Sequence, residues 1–198
     1  MPTDPTRITL QRGDGLIVVD VQNDFLPGGA LAVPEGDRVI APLNRCMALF
    51  QARGLPIYVT RDWHPADHCS FRGQGGPWPA HCVQGSPGAA FSPALEAPAS
   101  AGLISKATDP ARENYSDFEG TSLDGQLKAQ GVTRLFVGGL ATDYCVLNTV
   151  RDGLRLGYRV CLLLDAIRAV NVRPDDGDKA IAEMAALGAQ LVSSGDIA

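Results

Sequence analysis

Asp20, Asp62, His64, Lys106 and Cys145 each stand at or just past the end of a short apolar run. Cys145 ends the stretch Gly138-Gly139-Leu140-Ala141-Thr142-Asp143-Tyr144-Cys145 and lies just inside an amphipathic pattern, with Thr142 placed to cap the helix. Free N–H groups and the positive end of a helix stabilise a thiolate and lower its pKa below the usual ~8.5. The same N–H groups can receive an oxyanion as a carbonyl is attacked. A lone cysteine is more often a small core residue, and Cys46 and Cys161, inside apolar stripes, read that way. Asp20, taken alone, is equally a helix cap or a general base; Lys106, taken alone, is a solvated lysine. Brought to one thiol they mean something else. The carboxylate takes the thiol proton, and the ammonium holds the negative charge that results.

A second constellation begins two residues apart. In Asp62-Trp63-His64 a carboxylate and an imidazole lie on the same side of an extended segment. His81, from a later loop, completes a set of one carboxylate and two imidazoles. That set suits one divalent ion, zinc, iron or manganese, with positions left open for water or substrate. His68 could join it.

These residues need a scaffold that gathers strand ends. Apolar runs without alternation recur at 15–19, 55–60, 102–106, 133–138, 159–164 and 189–193, as expected of strands buried on both faces in a parallel sheet. Between them, Val39, Leu43, Cys46, Met47 and Phe50 form one helical stripe ending at Gly54. A second helix starts near Thr121, where Thr-x-x-Asp offers a capping box, and ends before Gly131. A third spans about 143–156, and Ile181, Met184 and Leu187 mark a fourth. Strand–helix alternation gives an open α/β sheet with right-handed crossovers, whose ligands bind beyond the carboxyl ends of the strands. Residues 65–98 break the rhythm with six prolines, five glycines and two of the three histidines, and read as an ordered site loop. Residues 1–14 read as a polar lead-in, and 1–198 as a single domain.

Composition excludes several classes. The chain has 198 residues, 45% hydrophobic and 20% charged, enough apolar material for one full core. Its net charge of −5, with acids and bases interleaved, offers no basic footprint for nucleic acid and no polybasic face for a membrane. Five cysteines without a C-x-x-C pair argue against a disulfide scaffold or a four-cysteine zinc site, and for a reducing cytoplasm. No segment reads as a signal peptide or membrane span.

Four segments together carry a resemblance: Val-Val-Asp20-Val-Gln-Asn-Asp-Phe25-Leu-Pro-Gly-Gly; Arg-Asp62-Trp-His64-Pro-Ala-Asp-His68; Trp78-Pro-Ala-His81-Cys-Val-Gln-Gly-Ser-Pro-Gly-Ala; and Gly-Leu140-Ala141-Thr-Asp-Tyr144-Cys145-Val. The sequence resembles the nicotinamidase/pyrazinamidase branch of the isochorismatase-like cysteine hydrolases from residue 15 to about 170. The Asp…Lys…Cys set is shared across that superfamily, whereas the D-W-H and W-P-x-H-C-V-x-G-x-P-G segments are diagnostic of the branch. The resemblance implies a three-layer α/β/α fold with a six-stranded parallel sheet of order 3-2-1-4-5-6. It implies Asp20, Lys106 and Cys145 as catalytic triad and a divalent metal on Asp62, His64 and His81. It also implies a cis peptide before Ala141, with the N–H groups of Ala141 and Cys145 as oxyanion hole. His68 ligates in some relatives and not in others, and Ala107 stands where many relatives have glycine.

The activity so implied is hydrolysis of nicotinamide or analogues such as pyrazinamide, a step of NAD salvage, through a thioester on cysteine. Phe25 and Trp78 are expected to sandwich the ring, with Tyr115, Tyr144 and Leu140 completing the pocket. The implied partner is a small carboxamide, and a homo-oligomer stays open. The alternative is a cysteine amidase of the same superfamily acting on a carbamoyl or ureido compound, which should lack the metal set. A hydrolase using metal-bound water would survive loss of Cys145, and a thiol-redox protein would want a resolving cysteine near it.

Overall fold

The computed structural model describes residues 7–198, so residues 1–6 of the expected lead-in lie outside the described residues. Six strands form one parallel sheet: β1 (Asp14–Val19), β2 (Ile57–Asp62), β3 (Gly102–Lys106), β4 (Arg134–Leu140), β5 (Arg159–Arg168) and β6 (Gln190–Val192). The strand order is β3-β2-β1-β4-β5-β6, as the resemblance implies. Alternation along β1 explains the layering. Leu16 and Val18 face one core with α1 (Ile40–Ala52), whose Leu43, Cys46, Met47 and Phe50 are buried. Ile17 and Val19 face a second core with α2 (Leu123–Ala129), α3 (Leu147–Arg155) and α4 (Asp176–Ala186).

Strand order reverses beside β1, whose neighbours are β2 on one side and β4 on the other, and the crevice opens at that switch point. Register then places the reactive residues. Asp62 and Lys106 are direct partners across β2 and β3, and Val19, one residue before Asp20, pairs with Gly139. Gly139 has φ of +128°, and a Cβ there would lie 2.0 Å from the Val19 carbonyl oxygen. Only glycine lets β1 and β4 approach so closely at the site.

Several boundaries differ from the expected ones. Leu55 and Pro56 fall outside β2, because the Leu55 N–H closes the end of α1 on the Phe50 carbonyl. The strand therefore runs through Asp62 instead of stopping before it. No capping box forms at α2: Thr121 Oγ1 accepts from the Leu123 N–H, while the Asp124 carboxylate turns to Lys128 and Tyr158. Thr142 does not cap the third helix either. Ala141 holds the cap position with no side-chain bond, and Thr142–Val146 is a π-helical turn before α3. Part of the polar lead-in is built into the fold, since Ile8 pairs in parallel with Ile197. No described helix is long and apolar enough to cross a membrane.

Candidate active site

β1 delivers Asp20 through a residue with φ of +48°, a left-handed conformation that non-glycine residues rarely hold. Its carboxylate is fully buried, accepts a hydrogen bond from the Thr60 hydroxyl at 2.8 Å and forms an ion pair with Lys106. Lys106, also fully buried, lies 2.9 Å from Asp62 Oδ1 and 3.4 Å from Asp117 Oδ1. Three carboxylates thus surround one ammonium. The residue after it, Ala107, is left-handed with φ of +52°, a conformation glycine would hold at no steric cost. Oxygens of Asp20 and Asp62 and the sulfur of Cys145 lie within 4.8 Å of one another.

Burial governs the protons here. It pushes the Asp20 carboxyl up to about 7, against the pull of Lys106 and with help from Asp62 and Asp117. Burial also works against the Lys106 charge, but Asp20 and Asp62 outweigh it and hold the ammonium well above its ordinary range. The expected low-pKa thiolate does not match the site. Burial pushes the Cys145 thiol well up, and Lys106 offsets this only in part. A helix start acts on a sulfur strongly only where the thiolate is also solvated, and Cys145 is 5% exposed. The resting sulfur therefore carries a proton, and a nearby group must remove it.

The peptide between Leu140 and Ala141 is cis. Beyond it the Ala141 carbonyl accepts from the N–H groups of Tyr144 and Val146, which shapes the turn bearing Cys145. π-Helical turns recur at functional sites.

Ligand-atom positions of Asp62, His64 and His81 lie within 4.8 Å of one another, all three residues buried. His64 Nδ1 faces the His81 carbonyl at 3.1 Å, and His81 Nδ1 faces the Pro79 carbonyl at 2.8 Å. A carbonyl only accepts, so both Nδ1 atoms donate, and Nε2 is the atom each ring has left to offer a metal. Burial lowers the His64 pKa to about 4, which keeps that ring neutral at physiological pH. The donor set fits a divalent metal. His68 differs: its Nδ1 bonds Ser70 Oγ at 2.8 Å, its Nε2 faces the Arg112 carbonyl at 3.1 Å, and its ring packs on His64 at 4.4 Å.

Neighbouring loops hold these groups in place. Gln22 donates to the Asp62 and Ala89 carbonyls and accepts from the Asp62 N–H, clamping the end of β2. Asp24 accepts from the Cys82 N–H at 2.7 Å, beside His81. Gly88 passes so close that a Cβ would lie 2.2 Å from the Asp24 carboxylate.

A cavity opens onto the sulfur. Phe25, Trp78, Tyr115 and Tyr144 line it with Cys145, Ala141, Asp62 and His81. Trp78 Nε1 donates to the Tyr115 hydroxyl at 3.0 Å, and Tyr144 packs on both rings. Leu140, expected at the pocket, is instead fully buried in the core on the α1 side of the sheet. Sequence reasoning missed two apolar liners, Leu31 and Val170, and the buried carboxylate of Asp117. Asp117 gives no signal in sequence, since an acid in Tyr-Ser-Asp-Phe-Glu reads as an ordinary loop residue.

Comparison with known proteins agrees with this geometry. The isochorismatase domain family matches residues 14–196. The nicotinamidase of Escherichia coli (strain K12) is 43% identical over 202 residues, covering 91% of this chain and 95% of that protein. Among solved structures, the pyrazinamidase of Pyrococcus horikoshii in complex with zinc superposes with a TM-score of 0.88 at 49% identity, covering 91% of this chain and 99% of that one. PnC1 from L. infantum in complex with nicotinate gives 0.90 at 35% identity, covering 97% and 98%. With the sheet order, the buried Asp–Lys–Cys cluster and a family match over nearly its whole length, the chain belongs to the isochorismatase family.

Proposed function

We propose that this chain is a nicotinamidase, an amidohydrolase that converts nicotinamide and flat analogues such as pyrazinamide to the carboxylic acid and ammonia. One observation carries the reading: Cys145 shares a single aromatic-lined cavity with Asp62 and His81, so the nucleophile and two members of the metal-ligating set face the same space. The amidase acting on carbamoyl or ureido compounds lacks this support, because it gives the metal set no role.

Phe25, Trp78, Tyr115 and Tyr144 enclose the ring and exclude water. Asp20 takes the proton from Cys145 Sγ as the sulfur bonds to the amide carbon and the carbonyl electron pair moves to oxygen. The N–H groups of Ala141 and Cys145 receive that oxyanion. The C–N bond then breaks, Asp20 returns its proton to the departing nitrogen, and ammonia leaves a thioester on Cys145. Water adds to the thioester while giving a proton to Asp20. Collapse releases the acid and restores the sulfur, which recovers its proton from Asp20. Lys106 stays protonated throughout and offsets negative charge on the sulfur and on Asp20.

Asp62, His64 and His81 would hold one zinc, iron or manganese ion, which supplies a fixed Lewis-acid charge for the ring nitrogen. His68 braces His64, and a ring nitrogen of it also lies within 4.8 Å of ligand atoms of His64 and Glu113, so it stays a candidate as a further ligand. Five free cysteines favour a cytoplasmic setting.

The test is ammonia release from nicotinamide by the wild type beside Cys145→Ala, with an N-carbamoyl amino acid as competing substrate. Release from nicotinamide by the wild type alone is the expected result. Undiminished release by Cys145→Ala, or turnover of the carbamoyl compound only, would overturn the assignment.

A further inference from the structure

The described mechanism leaves one buried charge without a role. Asp117 lies in the segment between β3 and α2, its side chain wholly inaccessible to solvent, and the donors within its reach are Lys106 and the Thr60 hydroxyl, both of which already serve Asp20. Its backbone N–H is held by Thr149 Oγ1 of α3 at 3.0 Å, so the residue is fixed in place. A buried carboxylate with no donor of its own is costly and calls for a specific reason. Its nearest opposite charge is Lys106 Nζ at 3.4 Å, on an ammonium that already meets Asp20 and Asp62.

We propose that Asp117 is a positioning residue that shares the Lys106 ammonium with Asp20 and so keeps Asp20 able to accept the Cys145 proton. An ammonium has three N–H donors, and three carboxylates surround this one. A carboxylate that alone owned the lysine would be a poor base, because its negative charge would be fully matched. Each further carboxylate draws part of that positive charge away. Asp62 belongs to the metal-ligating set, which leaves Asp117 as the counterweight with no other assignment. The charged and titratable groups facing Asp20 are Lys106 from β3, Asp62 from β2, Asp117 from the segment after β3, Cys82 from the long loop and Cys145 from the π-helical turn. Asp62 and Asp117 both act to raise the proton affinity of Asp20, whereas Lys106 lowers it. Asp117 does not line the cavity, so its influence falls on the chemical step and not on substrate contact.

This inference rests on the roles given above to Asp20 and Cys145. Its test uses Asp117→Asn, which keeps the shape and removes the charge, beside Asp117→Ala. Two quantities are measured at neutral pH: kcat and KM on nicotinamide, and the rate at which iodoacetamide alkylates Cys145, followed by mass spectrometry of its peptide. The expected result for Asp117→Asn is a kcat lowered roughly tenfold or more with KM within about twofold, and a faster alkylation, because the lost charge no longer holds the Cys145 thiol up. Wild-type kcat and alkylation in Asp117→Asn, or a change in KM alone, would overturn the proposal. Should Asp117→Ala fail to fold, Asp117→Asn decides the matter by itself. Alkylation requires no amide substrate, so an enzyme inert toward nicotinamide sinks the assigned reaction while the Asp117 comparison still yields its answer.

Discussion

At the level of single residues, the site works by keeping charged groups out of water and letting them answer only to one another. Asp20, pushed by burial to about 7, is a carboxylate with the proton affinity of an imidazole, and that is what a protonated cysteine needs beside it. The kcat/KM for nicotinamide should therefore climb with pH through about 7 and fall roughly tenfold per unit below it. A pH–rate profile flat from about 5 to 8 would remove Asp20 as the base. The same shift acts on stability with opposite sign. The folded chain holds the Asp20 proton more tightly than the unfolded chain, so this stabilisation is present at acid pH and is lost as pH rises through about 7. Lys106→Ala leaves three buried carboxylates facing each other without a cation. Activity should drop by about 10²–10⁴, and denaturant melts should show a loss of about 3–5 kcal/mol.

Elements contribute through register. The parallel pairing of β2 with β3 sets Asp62 opposite Lys106, and the close approach of β1 to β4 at Gly139 brings Asp20 toward the turn that bears Cys145. Gly139→Ala forces a methyl group against the Val19 carbonyl in a left-handed backbone. The expected cost is about 1–3 kcal/mol of stability, or roughly 2–12 °C in Tm for a domain of this size, read by calorimetry. Gly88→Ala strikes a different link. It pushes on Asp24, which holds the Cys82 N–H next to His81. Metal content after dialysis should fall in this variant while the circular dichroism spectrum stays that of the wild type.

For the molecule as a whole, the metal-ligating set joins β2 to the long loop that carries Trp78 and His81. A divalent ion bound there should stabilise the folded state by mass action, by about 2.7 kcal/mol at a free concentration one hundred times its Kd. Treatment with a chelator is accordingly expected to lower Tm by roughly 5–10 °C and abolish ammonia release, with zinc, iron and manganese compared in the re-addition. A Tm indifferent to chelator and to all three ions would argue that the Asp62–His64–His81 set holds no metal.

Much of this arrangement could be read from order along the chain. Unalternated apolar runs give strands buried on both faces, and such strands with helices between them leave few topologies other than an open parallel sheet. Reactive residues at consecutive strand ends then have one edge on which to meet. Asp20, Lys106, Cys145, Asp62 and His64 were legible for that reason, each at or just past a strand end, whereas His81 was read from a long loop that departs from the strand–helix rhythm. What sequence could not supply is the dielectric around them. Cys145 looked like a low-pKa thiol at a helix start, and packing made it a buried one whose proton is held more tightly. Leu140 looked like a pocket residue from its neighbours, yet the turn of the chain aims it into the core. Asp117 looked like any loop acid until folding carried it, wholly buried, to within 3.4 Å of the Lys106 ammonium. Local pattern determines which elements form, because hydrophobic periodicity acts over a few residues. Proton affinities and charge sharing depend on atoms scores of positions away, and only the tertiary structure brings those together.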